Sequence, residues 1–200
     1  MSKKIPEIDF IPRIIQIPEV FYSTATGDKF YACTMCGTEL IENNHSYIIE
    51  KIIKNYPENN TKDTIAEYAL CIKCIEKLRE GFSEESLEKI NNYMLGHTDL
   101  SVRRKQLVEN NMLDVNAWLS NCIVNDKKIN ELSEYQIMCQ CQGDFMLFTF
   151  MPYMLSCHAA EEMQELLSKK TRDELDRFYT ENLGMPPELK ELFKTKIPVI

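Results

Sequence analysis

Residues 66–81 read AEYALCIKCIEKLREG. The first five are strand-like, and at Cys71 the pattern changes. Cys71, Cys74, Ile75 and Leu78 follow the i, i+3, i+4, i+7 spacing of one helical face, which Phe82 continues, so both thiols share a face with apolar side chains. Gly81 supplies a stop for that helix. Paired thiols in a first helical turn can serve as metal ligands, as a redox couple or as core filler, and the rest of the chain decides among these.

A second pair stands upstream in CTMCG, residues 33–37. Two Cys-x-x-Cys pairs a few tens of residues apart match the spacing of a four-cysteine zinc site, in which each short loop chelates at small entropic cost. Gly37 lets the first loop fold back so that its amides point at sulfur. Cys71 and Cys74 sit at a helix start, where free amides and the macrodipole favour thiolates. Cys33, Cys36, Cys71 and Cys74 are therefore the expected ligands of one structural Zn2+ per chain. A dithiol redox couple would need only one pair. A closed four-ligand site leaves no open position for catalysis.

The order of parts, a CTMCG knuckle, a hairpin and a helix carrying CIKC, resembles the treble-clef zinc finger over about residues 30–82. That resemblance implies a scaffold shared by nucleases, nucleic-acid readers and protein-interaction modules, and so no single activity. Nucleases of the HNH type resemble it further, with an Asp-His pair between the knuckles and another His in the helix. Here Asn44 precedes His45, and CIKCIEKLREG has no His. A degenerate HNH-like nuclease is accordingly the least supported of three readings.

The 200-residue chain is 44% hydrophobic and 27% charged, ordinary values for a folded soluble protein. Its net charge of −8 works against a broad phosphate-binding surface. Binding to nucleic acid would need Lys51, Lys54, Lys73, Lys77, Arg79 and Arg103 to Lys105 to gather on one face. Eight cysteines without a secretory leader suggest a reducing, cytoplasmic setting, and no apolar run has the length of a membrane span.

Residues 1–28, with Pro6, Pro12 and Pro18, read as an extended arm. Residues 29–96 read as the zinc module plus a following helix. There Lys29 to Cys33 is strand-like, 55–63 is a loop and Thr64 to Leu70 is a returning strand. ELIENNHSYIIEKIIKNYP is taken as a strand, although Ile48, Ile49, Ile52, Ile53 and Tyr56 also fit a helical period. Ser83 caps the next helix, whose stripe is Leu87, Ile90, Met94 and Leu95 before Gly96.

Residues 97–200 read as a helical unit with one β-hairpin at about 135–151. A helix over roughly 100–110 precedes one starting after Asp114, with Val115, Trp118, Leu119, Cys122 and Ile123 on one side. Gly143-Asp144 suits a two-residue II′ turn, which would set Cys141 opposite Met146. Ser156 caps a helix, Thr171 to Glu174 resembles a capping box with Leu175, Phe178 and Tyr179 inward and Gly184 ending the helix, and Pro186-Pro187 opens a last one. Cys139 and Cys141 alternate onto an apolar face. With Cys157 and His158 they could form a second metal site, against a plainer reading as core thiols.

The expected fold is α+β: a treble-clef-like zinc module followed by a mainly helical unit with one hairpin. The expected function is a zinc-stabilised, non-enzymatic interaction or adaptor protein that binds another protein. A nucleic-acid-binding zinc-finger protein, regulatory or ribosome-associated, is the alternative.

Overall fold

The computed structural model describes residues 13–56, 58–59, 61–110 and 113–183. The architecture is α+β, built on a six-stranded antiparallel sheet. Its longest strands are β2 (Ser46–Tyr56) and β3 (Thr61–Cys71), which form a hairpin. β2 also pairs along its length with β4 (Glu134–Gln142). The far edge of β4 is shared: Tyr135–Met138 pair with β6 (Tyr153–Ser156), and Gln140–Gln142 pair with β5 (Phe145–Phe148). β1 (Arg13–Gln16) closes the order β1-β5-β4-β2-β3.

β2 is continuously buried from Ile49 to Ile53, which explains its ambiguous sequence. A strand covered on both faces loses the apolar–polar alternation that normally announces it. Tyr47, Ile49, Lys51 and Ile53 point to one face, and Glu50 and Ile52 to the other. On the Ile49 side, Trp118 of α4 (Val115–Leu119) packs on Phe148 with ring centroids 5.0 Å apart. On the Glu50 side, Phe178 of α6 (Lys169–Asn182) meets Tyr68 edge-on at 5.3 Å. The remaining helices are α1 (Ile72–Glu80), α2 (Glu84–His97), α3 (Leu100–Glu109) and α5 (Cys157–Glu165).

The three segments distinguished by composition all contribute to this sheet. β1 comes from the proline-rich arm, β2 and β3 from the cysteine-bearing segment, and β4 to β6 from the C-terminal stretch. Ile17 and Phe21 of the arm are buried in the common core. Lys29 to Cys33, in contrast to expectation, forms only an isolated Ala32–Glu39 bridge.

Local signals hold where they are short-range. Ser83 accepts from the Ser86 amide and Ser156 from the Ala159 amide, as caps. Gly143 has φ +52° and Cys141 faces Met146. Other expectations need correction. The hairpin is joined by β6, a four-residue buried strand with no polar alternation. α2 continues through Gly96, and Leu95 is 63% exposed while Ser86 is buried. α4 ends at Leu119, so Cys122 and Ile123 lie in the following turn, buried but outside any helix.

Ser168, rather than Thr171, caps α6. Thr171 is fully buried one turn in, where its hydroxyl accepts from the Ser83 amide at 3.0 Å and donates to Ser86 at 3.1 Å. Leu175, Phe178 and Tyr179 face inward as expected. Gly184 and the helix expected after Pro186-Pro187 lie outside the described residues.

The β4–β5 turn leaves no room for a side chain. A Cβ on Gly143 would lie 2.6 Å from Asn44 Oδ1 and 3.2 Å from the Ile41 carbonyl oxygen, on a backbone already in the left-handed region. Gly143→Ala is expected to cost about 1–3 kcal/mol. A denaturant midpoint unchanged by the substitution would refute this account of the turn.

Candidate metal centre

The two cysteine pairs converge because β3 and the knuckle are stitched together. Within CTMCG, the Gly37 amide donates to the Cys33 carbonyl and the Cys33 amide to the Thr38 carbonyl, both at 2.8 Å. Gly37 holds φ +71° there, a conformation that costs glycine little. The Thr34 amide donates to the Ala69 carbonyl at 2.8 Å, and the Ala69 amide to Thr34 Oγ1 at 3.1 Å. The knuckle is thereby docked two residues before Cys71, which ends β3 and occupies the N-cap position of α1. Cys74 follows in the first turn, buried beside Ile75 and Leu78.

The four Sγ atoms of Cys33, Cys36, Cys71 and Cys74 all lie within 4.8 Å of one another. Cys36 and Cys71 Sγ are 3.8 Å apart, the edge of a tetrahedron whose zinc–sulfur bonds are about 2.3 Å long. Cys33, Cys71 and Cys74 are buried and Cys36 is exposed. The donor set therefore fits a divalent, thiophilic ion such as zinc.

The surroundings already favour negative sulfur at two points. The Cys71 amide points at Cys33 Sγ from 3.4 Å. Cys36 Sγ lies 3.2 Å from the Thr38 hydroxyl, and that hydroxyl with the Thr38 amide lowers the Cys36 thiol to about 6. Burial pushes Cys71 and Cys74 upward instead, since four crowded thiols cannot all ionise without a cation among them. A bound divalent ion supplies that charge and couples metal affinity to proton release.

Among the described residues this is the one group of three or more Cys, His, Asp or Glu side chains placed to hold a metal. The possible second set is not assembled. Cys139 and Cys141 have Sγ atoms 3.6 Å apart, fully buried on the Ile49 side of the sheet, where burial raises the Cys139 thiol far above its ordinary value. Cys157 is half-buried at the start of α5, and exposed His158 faces Glu161 at 3.9 Å and Glu162 at 3.6 Å. Cys122 accepts from the Ser156 amide at 3.3 Å within the core.

A groove of about 710 Å³ opens beside the cluster, a feature no sequence signal announced. Cys36, Cys71 and Cys74 form part of its wall, with Met35, His45, Ile72, Lys73, Glu76 and Lys77 around them. His45 is half-buried there, immediately before β2. Of the basic residues singled out by sequence, Lys73, Lys77 and Arg79 are exposed on α1. Lys51 instead lies buried against Glu67, and Arg103 is turned onto Trp118. Among the described residues no helix is long and apolar enough to cross a membrane. Compared with known protein families, curated proteins and solved structures, the chain matches none.

Proposed function

We propose that this is a zinc-stabilised, non-enzymatic interaction protein. Its treble-clef-like module uses a structural zinc to hold a protein-binding groove open beside Cys36. The observation that carries this reading is the shared wall: three of the four clustered cysteines line a groove that also exposes apolar and charged side chains. A metal that fixes the knuckle against the start of α1 fixes the shape of that groove too. Preorganised concave surfaces with mixed apolar and charged linings are where partner segments bind at least entropic cost.

A photo-crosslinking residue at position 73, with a control at exposed Lys169, which does not line the groove, tests this in native extract. Expected is a discrete protein adduct from position 73 that disappears on zinc chelation and is absent from position 169. Adducts abolished by nuclease and by raised salt would instead favour the nucleic-acid reading, for which Lys73, Lys77 and Arg79 are the remaining exposed cations on α1. No adduct specific to position 73 would contradict both.

A further inference from the structure

Away from the four clustered cysteines, Arg103 of α3 is a cation with no anion beside it among the described residues. Its Nη2 donates to the Trp118 carbonyl at 2.6 Å and its Nη1 to the Pro152 carbonyl at 3.4 Å. The guanidinium carbon stands 5.0 Å from the centroid of the Trp118 ring. Burial lowers its pKa to about 10, and the nearby Tyr153 phenol offsets this only in part. Among the described residues no carboxylate pairs with it. Buried Lys51 shows the usual arrangement, with Glu67 3.2 Å away.

The carbonyls and ring fix the guanidinium plane but bring only partial charges, and two of its five N–H groups are used by them. A cation held away from bulk water gains most from a full negative charge. Arg103 lines a cavity of about 450 Å³ that opens to solvent between α3 and the segment around α4. His97, Asn121 and Asp126 share its wall. The Nδ1–H of His97 is committed to the Tyr93 carbonyl at 2.8 Å, leaving Nε2 for other partners. Asn121 Nδ2 is bonded to Asp126 Oδ1 at 2.7 Å, which ties the one carboxylate among the described wall residues to its neighbour.

We propose that this cavity binds a small oxyanion, a carboxylate or a phosphate, with Arg103 as its charge partner. The fork geometry of arginine matches the paired oxygens of both groups. Asp126 opposes the ligand and sets a limit on affinity. The site stands apart from the metal centre, and its occupation does not depend on the reading of the groove.

Trp118 is the single tryptophan of the chain, and Arg103 lies over it, so intrinsic fluorescence reports the site directly. Inorganic phosphate and succinate are titrated into the full chain against sodium chloride of equal ionic strength, with calorimetry in parallel. A saturable change is expected with at least one probe, weakened about thirtyfold or more by Arg103→Gln. Asp126→Asn, whose amide oxygen can still accept from Asn121 Nδ2, is expected to tighten binding about threefold by removing a like charge. The proposal is overturned by no saturable change with either probe up to about 50 mM. It is equally overturned by affinity unaltered in Arg103→Gln or, should that variant not fold, unaltered in Asp126→Asn.

Discussion

Changing Cys71 and Cys74 together to serine is expected to abolish stoichiometric zinc and remove most of the protein's stability. Cys71 joins three elements at one residue: it pairs with Tyr47 at the end of the β2–β3 ladder, precedes the first turn of α1, and receives the knuckle through Cys33. Cys74 lies in the same buried cluster as Ile75 and Leu78. Serine nearly preserves volume, so the loss reports the metal rather than a cavity. Structural zinc contributes about 10–16 kcal/mol to small zinc-finger peptides. This chain has a large core of its own, so a loss on the order of 5 kcal/mol is expected, comparable with the whole stability of many domains. Chelation of the wild type should reproduce the effect, and zinc should restore the wild type but not the variant. Matching thermal unfolding of wild type and variant would show that the sulfurs are mere packing.

The second large effect is expected at Glu67. Its carboxylate accepts from the Ser23 hydroxyl at 2.8 Å and from the amides of Thr24 and Ala25 at 2.7 and 3.3 Å. It also pairs with Lys51, which further donates to the Tyr22 carbonyl and to Thr24 Oγ1. The side chains of Lys51 and Glu67 are 7% and 14% exposed. The pair fastens the arm across β2 and β3. Glu67→Ala leaves a buried cation and several donors unsatisfied, at an expected cost of about 3–5 kcal/mol. Lys51→Met with Glu67→Leu removes both charges and is expected to recover a large part of that loss. A cost under about 1 kcal/mol for Glu67→Ala would mean water reaches the pair freely.

The pH dependence of that pair has a definite sign. Burial raises the Glu67 carboxyl, but the Thr24 amide, the Ser23 hydroxyl and the Lys51 charge outweigh it, holding the group below the ordinary carboxylate range. A carboxyl with a lower pKa folded than unfolded contributes fully above its unfolded value, about 4.3, and loses that contribution as pH falls through the folded value. Wild type should therefore lose more stability than Glu67→Gln on acidification below pH about 4.5. Parallel stability curves for the two proteins would refute the assignment.

How much of this was legible depended on the range of each signal. The cysteine pairs, the apolar face of α1, the Ser83 and Ser156 caps and the Gly143 turn are local patterns, and each is present as read. What escaped was long-range or masked by burial. Nothing in RIIQ or YMLS says that the one lies beside β5 and the other beside β4. Both are short enough to lack a period. Ser168 does not stand out as a cap because Thr171 begins a better-looking motif, and the buried contacts of Thr171 with Ser83 and Ser86 exist only after folding. The sequence gives no sign that Lys51 and Arg103 are held inside the fold, since charge alone does not show that Glu67 lies across the ladder or that Trp118 lies under α3.

The central claim is that the four clustered cysteines are the ligands of one structural zinc. X-ray absorption at the zinc edge, on full chain whose metal content has been quantified, tests it most directly. About one zinc per chain, with about four sulfur neighbours near 2.3 Å and no nitrogen or oxygen shell, is the predicted result. Metal-free protein that is folded and melts like the zinc-treated sample would contradict it, as would zinc held by nitrogen or oxygen ligands.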